Sequence, residues 1–428
     1  MKNQESVETR LAIIGSGLAG MAAAIFAAQK EIPCVLLGRS GTAAFPSGLL
    51  DLLGTLPFAD SQPLKNPLQA IEQLSELMPQ HPYAKLSRQE IQKAFSGFLS
   101  SLAQAGLDYM GHEQKNSLAI GPAGELKPTF KIPRTMWPGI QAYEQKAPCL
   151  LLDFKGLKDF SSKLMASKLQ KNWPKVRHSR IEFPETAGKG EIFLPLLAHA
   201  LENPAMQEKL IKKLKAILKD EKYLGIPAVL GINSSQAIHQ RLEQELGINI
   251  FEIPTLPPSV PGLRLQETCL KAIYQSSVQS LGNSSVQKIQ ITDQANFQIQ
   301  LQADTTTRFI SSKAIILASG RFLGQGLYAQ RNGIVEPLFN LPVFQPQSRK
   351  DWHQKDFFDP HGHNLNQAGL EINSEFQPLD QKGKLVHDNL FTAGSILAHQ
   401  DWIRMKCGSG LAICSAFKAV QACRVDKI

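Results

Sequence analysis

Three glycines define the first chemistry. Leu11-Ala-Ile-Ile-Gly15-Ser-Gly17-Leu-Ala-Gly20 sets a Gly-x-Gly-x-x-Gly spacing behind a short apolar run, and residues 21–28 continue almost wholly apolar. Run, glycines and apolar stretch read as strand, turn and helix, the context in which this spacing holds a nucleotide pyrophosphate. Gly15 permits the tight turn, Gly17 lets the backbone approach a phosphate, and Gly20 lets helix and strand pack closely. Ser16, Leu18 and Ala19 complete the loop at the helix N-terminus, where free N–H groups and the helix dipole favour an anion. The competing reading is a plain glycine turn in a parallel sheet.

The next apolar run, Ile32-Pro-Cys-Val-Leu-Leu37, is expected to be the second strand. An acidic residue usually closes this strand and accepts the ribose hydroxyls. Here the end reads Gly38-Arg39-Ser40, with no carboxylate. Arg39 favours a phosphate instead, unless it is simply a solvated loop arginine. Two cofactors fit: a phosphorylated mononucleotide, or a dinucleotide held mainly by its pyrophosphate.

The elements that must position these residues belong to a chain of 428 residues, 43% hydrophobic and 19% charged, with a formal net charge of +9. That length holds two or three domains, or one with a large insertion, and the composition excludes a disordered chain. The positive charge suits an anionic substrate, an acidic partner or a membrane surface, and is too diffuse to argue for nucleic acid. The polar start, residues 1–10, is not expected to be a signal peptide, and no run of about eighteen apolar residues marks a membrane span. Cys34, Cys149, Cys269, Cys407, Cys414 and Cys423 form no C-x-x-C pair, so no zinc or iron–sulfur site and no other metal is expected. Scattered thiols of this kind suggest a cytoplasmic location.

Between about Pro63 and Pro261 the pattern becomes helical stretches broken by proline-rich connections. Leu210, Ile211, Leu214, Ile217 and Leu218 mark one apolar helix face, with Lys209, Lys212, Lys213, Lys215 and Lys219 on the other. Such a helix can lie on anionic lipid, or be an ordinary surface helix of a basic protein. Beyond Pro261, residues 263–276 read as a helix, 286–291 and 297–302 as strands, and 308–317 as an apolar strand leading into Ala318-Ser319-Gly320. Asn389-Leu-Phe-Thr-Ala-Gly394-Ser395 and Gly408-Ser-Gly410 precede an apolar helix over 411–422. Strand, glycine turn and helix of this kind close the isoalloxazine site in flavoproteins, with the helix start at Gly410 toward the ring or its ribityl chain. The expected fold is therefore α/β, a Rossmann-like FAD/NAD(P)-binding flavoprotein fold with a large inserted domain. Its flavin-binding domain is discontinuous, 9–60 and 262–428, and the inserted substrate or partner domain spans 61–261.

Several segments resemble the B subunit of the anaerobic glycerol-3-phosphate dehydrogenase complex. They are Pro46-Ser-Gly-Leu-Leu-Asp-Leu-Leu53, His81-Pro-Tyr83, Pro254-Thr-Leu-Pro-Pro-Ser-Val260 with Gly262-Leu-Arg-Leu-Gln266, Leu317-Ala-Ser-Gly320, Arg331-Asn-Gly-Ile334 with Glu336-Pro337, Asp356-Phe-Phe358 and Cys407-Gly408. They run in family order across nearly the whole chain. The resemblance implies a flavoprotein subunit, usually assigned FMN, with FAD the alternative that the pyrophosphate-type fingerprint favours. It further implies oxidation of sn-glycerol 3-phosphate to dihydroxyacetone phosphate. Two partners are implied with it: a catalytic flavoprotein, the A subunit, and a membrane-associated iron–sulfur protein, the C subunit. Electrons would then reach quinone, and the chain would meet the inner membrane only through those partners. Ser409 and His399 depart from family segments that are usually glycine-rich.

Alcohol oxidation by a flavin needs a hydride acceptor, a base for the hydroxyl proton, and cations for the phosphate. His399 is the first candidate base, followed by His361 and His363; each competes with a structural or solvated role. Arg264, Arg321 and Arg331 are the candidate phosphate ligands, and each competes with an ordinary surface role. Ser47, Gly48, Gly320, Gly394, Ser395, Gly408 and Gly410 are expected cofactor contacts, with Arg39 and the fingerprint loop. Three functions are open: a glycerol-3-phosphate-oxidising subunit, a non-catalytic flavin relay or scaffold that docks a catalytic partner, and a flavin-dependent RNA-modifying protein. The last lacks a clustered basic stripe beside aromatics.

Overall fold

The computed structural model describes residues 6–38, 46–57, 62–274, 276–292, 296–303 and 306–424. They form two compact units: the described residues of 1–42, 51–105 and 269–428, and those of 43–50 and 106–268.

In the first unit, seven strands of the described residues form one sheet. Its centre is the fingerprint strand, Ser6–Ile14, paired parallel with Cys34–Gly38 on one side and Thr306–Leu317 on the other. Val278–Gly282 extends it parallel beyond Cys34–Gly38, and Leu390–Thr392 lies parallel to Thr306–Leu317. Ser284–Ile291 and Phe297–Ala303 continue the other flank antiparallel. The central strands are unbroken apolar runs because helices and loops cover both faces of a parallel sheet. Leu18–Gln29 is apolar around its whole circumference and is buried from Ala19 to Ala27, as a helix enclosed on all sides must be. It packs against Gly408–Ala422 and Arg88–Gln104, with Phe26 meeting Phe417 edge-on at 5.2 Å and Phe98 at 6.5 Å. Arg88–Gln104 starts from a full capping box, Ser87 with Glu90. These contacts bring 62–105, expected within the insertion, into the first unit.

The second unit holds a parallel sheet that the proline-broken helical reading does not anticipate. Its strands are Asn249–Ile253, Tyr223–Pro227, Cys149–Phe154 and Val176–Ile181, paired in that order. Cys149–Phe154 is buried at every position. A short run with no alternation carries no strand period, so its sequence is indistinguishable from a buried helix segment. The lysine-faced helix runs Pro204–Lys215, capped by Asn203, and buries Leu210, Ile211 and Leu214; Ile217 and Leu218 lie past its end.

No helix of the described residues is long and apolar enough to cross a membrane. All six cysteines are buried, and burial pushes the Cys34 thiol up to about 12.

Candidate functional site

The first unit gathers glycines at the carboxyl ends of its parallel strands, the edge where ligands bind in open α/β sheets. Gly15 sits at φ +117°, and a Cβ there would lie 2.2 Å from the Ala318 carbonyl oxygen. Its N–H donates to Leu37 O at 2.7 Å, and Ala318 N donates to Ile14 O at 2.8 Å, so one turn ties three strands. A Cβ on Gly20 would lie 1.6 Å from the Gly15 carbonyl oxygen. Gly17 caps Leu18–Gln29 with no side-chain acceptor, and the first turn of that helix has no acid. The start of that helix thus has no side-chain cap or acid of its own, which suits a diphosphate there. The last residue of the second strand is Gly38, at φ +149°, where a Cβ would lie 2.8 Å from Ser16 N. No side chain fits there, so this strand end offers no ribose carboxylate. Arg39 lies outside the described residues.

The opposite wall comes from the C-terminal third. Gly320, at φ +72°, would place a Cβ 3.6 Å from Ser395 Oγ, and Gly394, at φ +82°, would place one 2.6 Å from Ala19 Cβ. Gly15, Gly17, Gly20, Gly320, Gly394 and Ser395, with Ser16, Leu18 and Ala19, thus meet in one cradle. Ser319 Oγ and Gln400 Oε1 are buried without a hydrogen-bond partner among the described residues. A glycine cradle closed to side chains, with a helix start at its edge, fits the diphosphate of a nucleotide.

Gly408 and Gly410 serve packing instead. The Gly410 N–H donates to Asp51 O at 2.7 Å, and a Cβ there would lie 2.4 Å from Tyr83 Oη. A Cβ on Gly408 would lie 3.2 Å from the Trp402 ring. The expected helix N-terminus toward a flavin is thus committed at Gly410 to the main chain of Asp51.

The arginines lie differently from expectation. Arg321 follows Gly320 but turns inward: its guanidinium donates to Ser395 O at 2.6 Å, Gln400 O at 2.9 Å, Leu397 O at 3.3 Å, and Asn366 O. Burial pushes it down to about 10, so it stays charged at neutral pH, its donors taken by the Asn366 carbonyl and the 394–400 loop rather than offered to a phosphate. Substituting Arg321 with Met should cost roughly 2–4 kcal/mol in denaturant unfolding, since each buried carbonyl left without a donor costs about 1–3 kcal/mol and water recovers part. Arg264 belongs to the second unit, on the Val260–Ile273 helix. It donates to Glu252 through both terminal nitrogens, with Nη2 to Oε1 at 2.8 Å, and through Nε to Gly231 O at 2.7 Å. Ser47 and Gly48 also lie in the second unit, where Gly48 O accepts from Tyr109 Oη at 2.8 Å. Arg331 is exposed in the hairpin of Tyr328–Gln330 and Gly333–Val335.

Of the three candidate histidines, His399 is the one in the buried segment that follows the Gly394 turn. It is buried at φ +60°, its Nε2 is 2.9 Å from Glu371 Oε1, and its ring lies 4.1 Å from that of Phe344. His361 is exposed beside Asp359, and His363 is tied to Gln354 N and Phe357 O. Sequence reasoning does not single out Glu371, which sits in no motif.

The sequence profile of the FAD binding domain family matches residues 10–411. Curated relatives include the B subunit of the anaerobic glycerol-3-phosphate dehydrogenase of Pectobacterium atrosepticum, 28% identical over 96% of this chain and 97% of that protein. The protein of the same name from Vibrio cholerae serotype O1 is 27% identical over 96% of this chain and 95% of that protein. A solved structure of 3-ketosteroid delta1-dehydrogenase from Sterolibacterium denitrificans, in complex with 1,4-androstadiene-3,17-dione, aligns over 97% of this chain and 99% of that one, at 10% identity and a TM-score of 0.44. The flavin named in the matched family is FAD, and these matches give no support to FMN as the primary cofactor.

Proposed function

This chain belongs to the FAD binding domain family, and on that premise we propose that it is the FAD-holding subunit of a glycerol-3-phosphate dehydrogenase. The observation that carries the reading is the extent of the likeness: relatives named as the B subunit of the anaerobic glycerol-3-phosphate dehydrogenase align with 96% of the chain. The cradle supports it. Gly15, Gly17 and the start of Leu18–Gln29 would hold the diphosphate, and Gly320, Gly394 and Ser395 would border the ring. When bound, the flavin supplies the acceptor for hydride from the alcohol carbon. His399 would take the hydroxyl proton, with Glu371 orienting its imidazole. The first unit would be the flavin domain and the second a substrate or partner domain. Two partner proteins, one a catalytic flavoprotein and the other a membrane-associated iron–sulfur protein, would carry electrons on to quinone and provide the membrane contact.

A second reading, a flavin relay without substrate chemistry of its own, is favoured by one observation. Arg321 and Arg264, two of the three arginines expected to hold a phosphate, are engaged by internal partners. Anaerobic mixing of the flavin-loaded chain with glycerol 3-phosphate separates the two. Bleaching of the flavin supports the dehydrogenase, and His399→Gln should then slow it by about 10²–10⁴-fold, the usual share of a general base. A flavin that bleaches only when the partner proteins are present supports the relay.

A further inference from the structure

The loop between Arg349 and His363 displays what a solvated loop normally lacks. Phe357 and Phe358 are 81% and 90% exposed, and Phe322 and Leu323 of the same unit are exposed as well. Single exposed apolar residues are ordinary, whereas a connected group of them marks an interaction surface. Ring contacts connect these. Phe358 meets Phe357 at 4.9 Å, Phe357 meets His363 at 6.3 Å, and His363 meets His353 at 5.5 Å. His353 in turn lines a pocket of about 330 Å³ with Phe322, Ala329, Arg349, Trp352 and Leu365.

Hydrogen bonds hold the loop in this shape. His363 Nδ1 accepts from Gln354 N at 3.1 Å, so its proton sits on Nε2, which donates to Phe357 O at 3.0 Å. Both ring nitrogens are thus spent on presenting Phe357, and such preorganisation lowers the ordering cost of binding. The charge pattern says what binds. Arg349, Lys350 and Lys355 are balanced by Asp351, Asp356 and Asp359. A surface for anionic lipid needs a cluster of lysines and arginines instead. Aromatic side chains with an arginine are the composition of the energetic centre of a protein interface. Arg349 lies over the Trp352 ring at 5.0 Å and donates to Gln330 O at 3.2 Å, but pairs with no carboxylate among the described residues. It therefore has donors left for one.

We propose that this rim of the first unit docks a partner protein whose surface offers an apolar side chain next to a carboxylate. The pocket takes the apolar side chain, and the carboxylate pairs with Arg349. Phe357 and Phe358 press into an apolar hollow of the partner beside that anchor. The proposal rests on the reading that this chain works with partner proteins.

Calorimetry of the full-length, FAD-loaded chain with each of the two partner proteins proposed above tests this. A Phe357→Ser, Phe358→Ser double variant should bind one of them about 30-fold or more weakly, as loss of a central aromatic anchor does. Arg349→Gln should weaken the same binding about tenfold and flatten its salt dependence. Tyr274→Ser is the control: this aromatic is 83% exposed but takes no part in these ring contacts, and its variant should bind as the wild type does. All the variants should keep the bound FAD and the thermal melt of the wild type. A double variant that binds both partners as the wild type does overturns the proposal, as does an equal loss from Tyr274→Ser. The proposal also falls if the double variant instead abolishes a dimer of the chain alone, or its binding to phosphatidylglycerol vesicles. A wild-type chain that binds neither partner protein overturns the partner reading and this proposal together.

Discussion

Gly15→Val should abolish flavin retention and destabilise the first unit by more than about 4 kcal/mol, the range reserved for severe core and backbone lesions. Two independent costs combine. The φ of +117° is strained for any residue with a side chain, most of all a β-branched one. The new Cβ would also stand 2.2 Å from the Ala318 carbonyl oxygen, so the Thr306–Leu317 strand would have to part from the fingerprint strand. The atoms met are main chain rather than the flexible end of a side chain, so local relaxation offers no relief. A desalted sample of the variant is expected to be colourless and to melt early. Gly190→Ala is the matched control: nothing among the described residues lies within 4 Å of a Cβ there, and it should keep both colour and stability. A Gly15→Val protein that holds flavin as the wild type does would remove this glycine from the site.

Glu252→Ala should destabilise the second unit by about 3–5 kcal/mol, because it strands a buried guanidinium. Glu252 and Arg264 have side-chain exposures of 0% and 2%. Glu252 also accepts from Leu230 N at 2.8 Å and Thr135 Oγ1 at 2.7 Å. Burial pushes the Glu252 carboxyl up, but the Arg264 charge and these hydrogen bonds outweigh it, and the folded value lies below the usual carboxylate range. The sign of the pH effect follows. The pair's contribution is fully present above the unfolded carboxyl value of about 4.3 and is lost as pH falls through the lower folded one. Urea unfolding across the acid range should show a steeper loss for the wild type than for Glu252→Ala. Replacing both partners with apolar residues of similar size should be far milder than removing Glu252 alone. An equal cost for the single and double changes would show that the ion pair is not the source of the stability.

The parts of the site made by backbone are legible in the residues, and the parts made by side-chain direction are not. Gly15, Gly17 and Gly20 can be read because glycine spacing, an apolar run and an apolar helix are local signals that agree with one another. Gly320 and Gly394 can be read because each ends an apolar strand. Arg321 shows where reading stops. Its place after Gly320 suggests a side chain toward a ligand, but four carbonyls from 366–400 draw it inward, and no local pattern records them. The partnership of Arg264 with Glu252 is hidden likewise, since Glu252 sits in an otherwise apolar stretch of the strand Asn249–Ile253. The second sheet escapes because its central strand has no alternating polarity.

The binding of FAD by this chain is tested most directly by the visible spectrum of the purified protein, incubated with FAD and desalted, followed by denaturation and chromatography of what is released. A flavin spectrum from the folded protein, with FAD as the released cofactor, is the expected result. A folded protein that stays colourless after incubation with FAD would contradict it, and would leave the glycine cradle as packing alone.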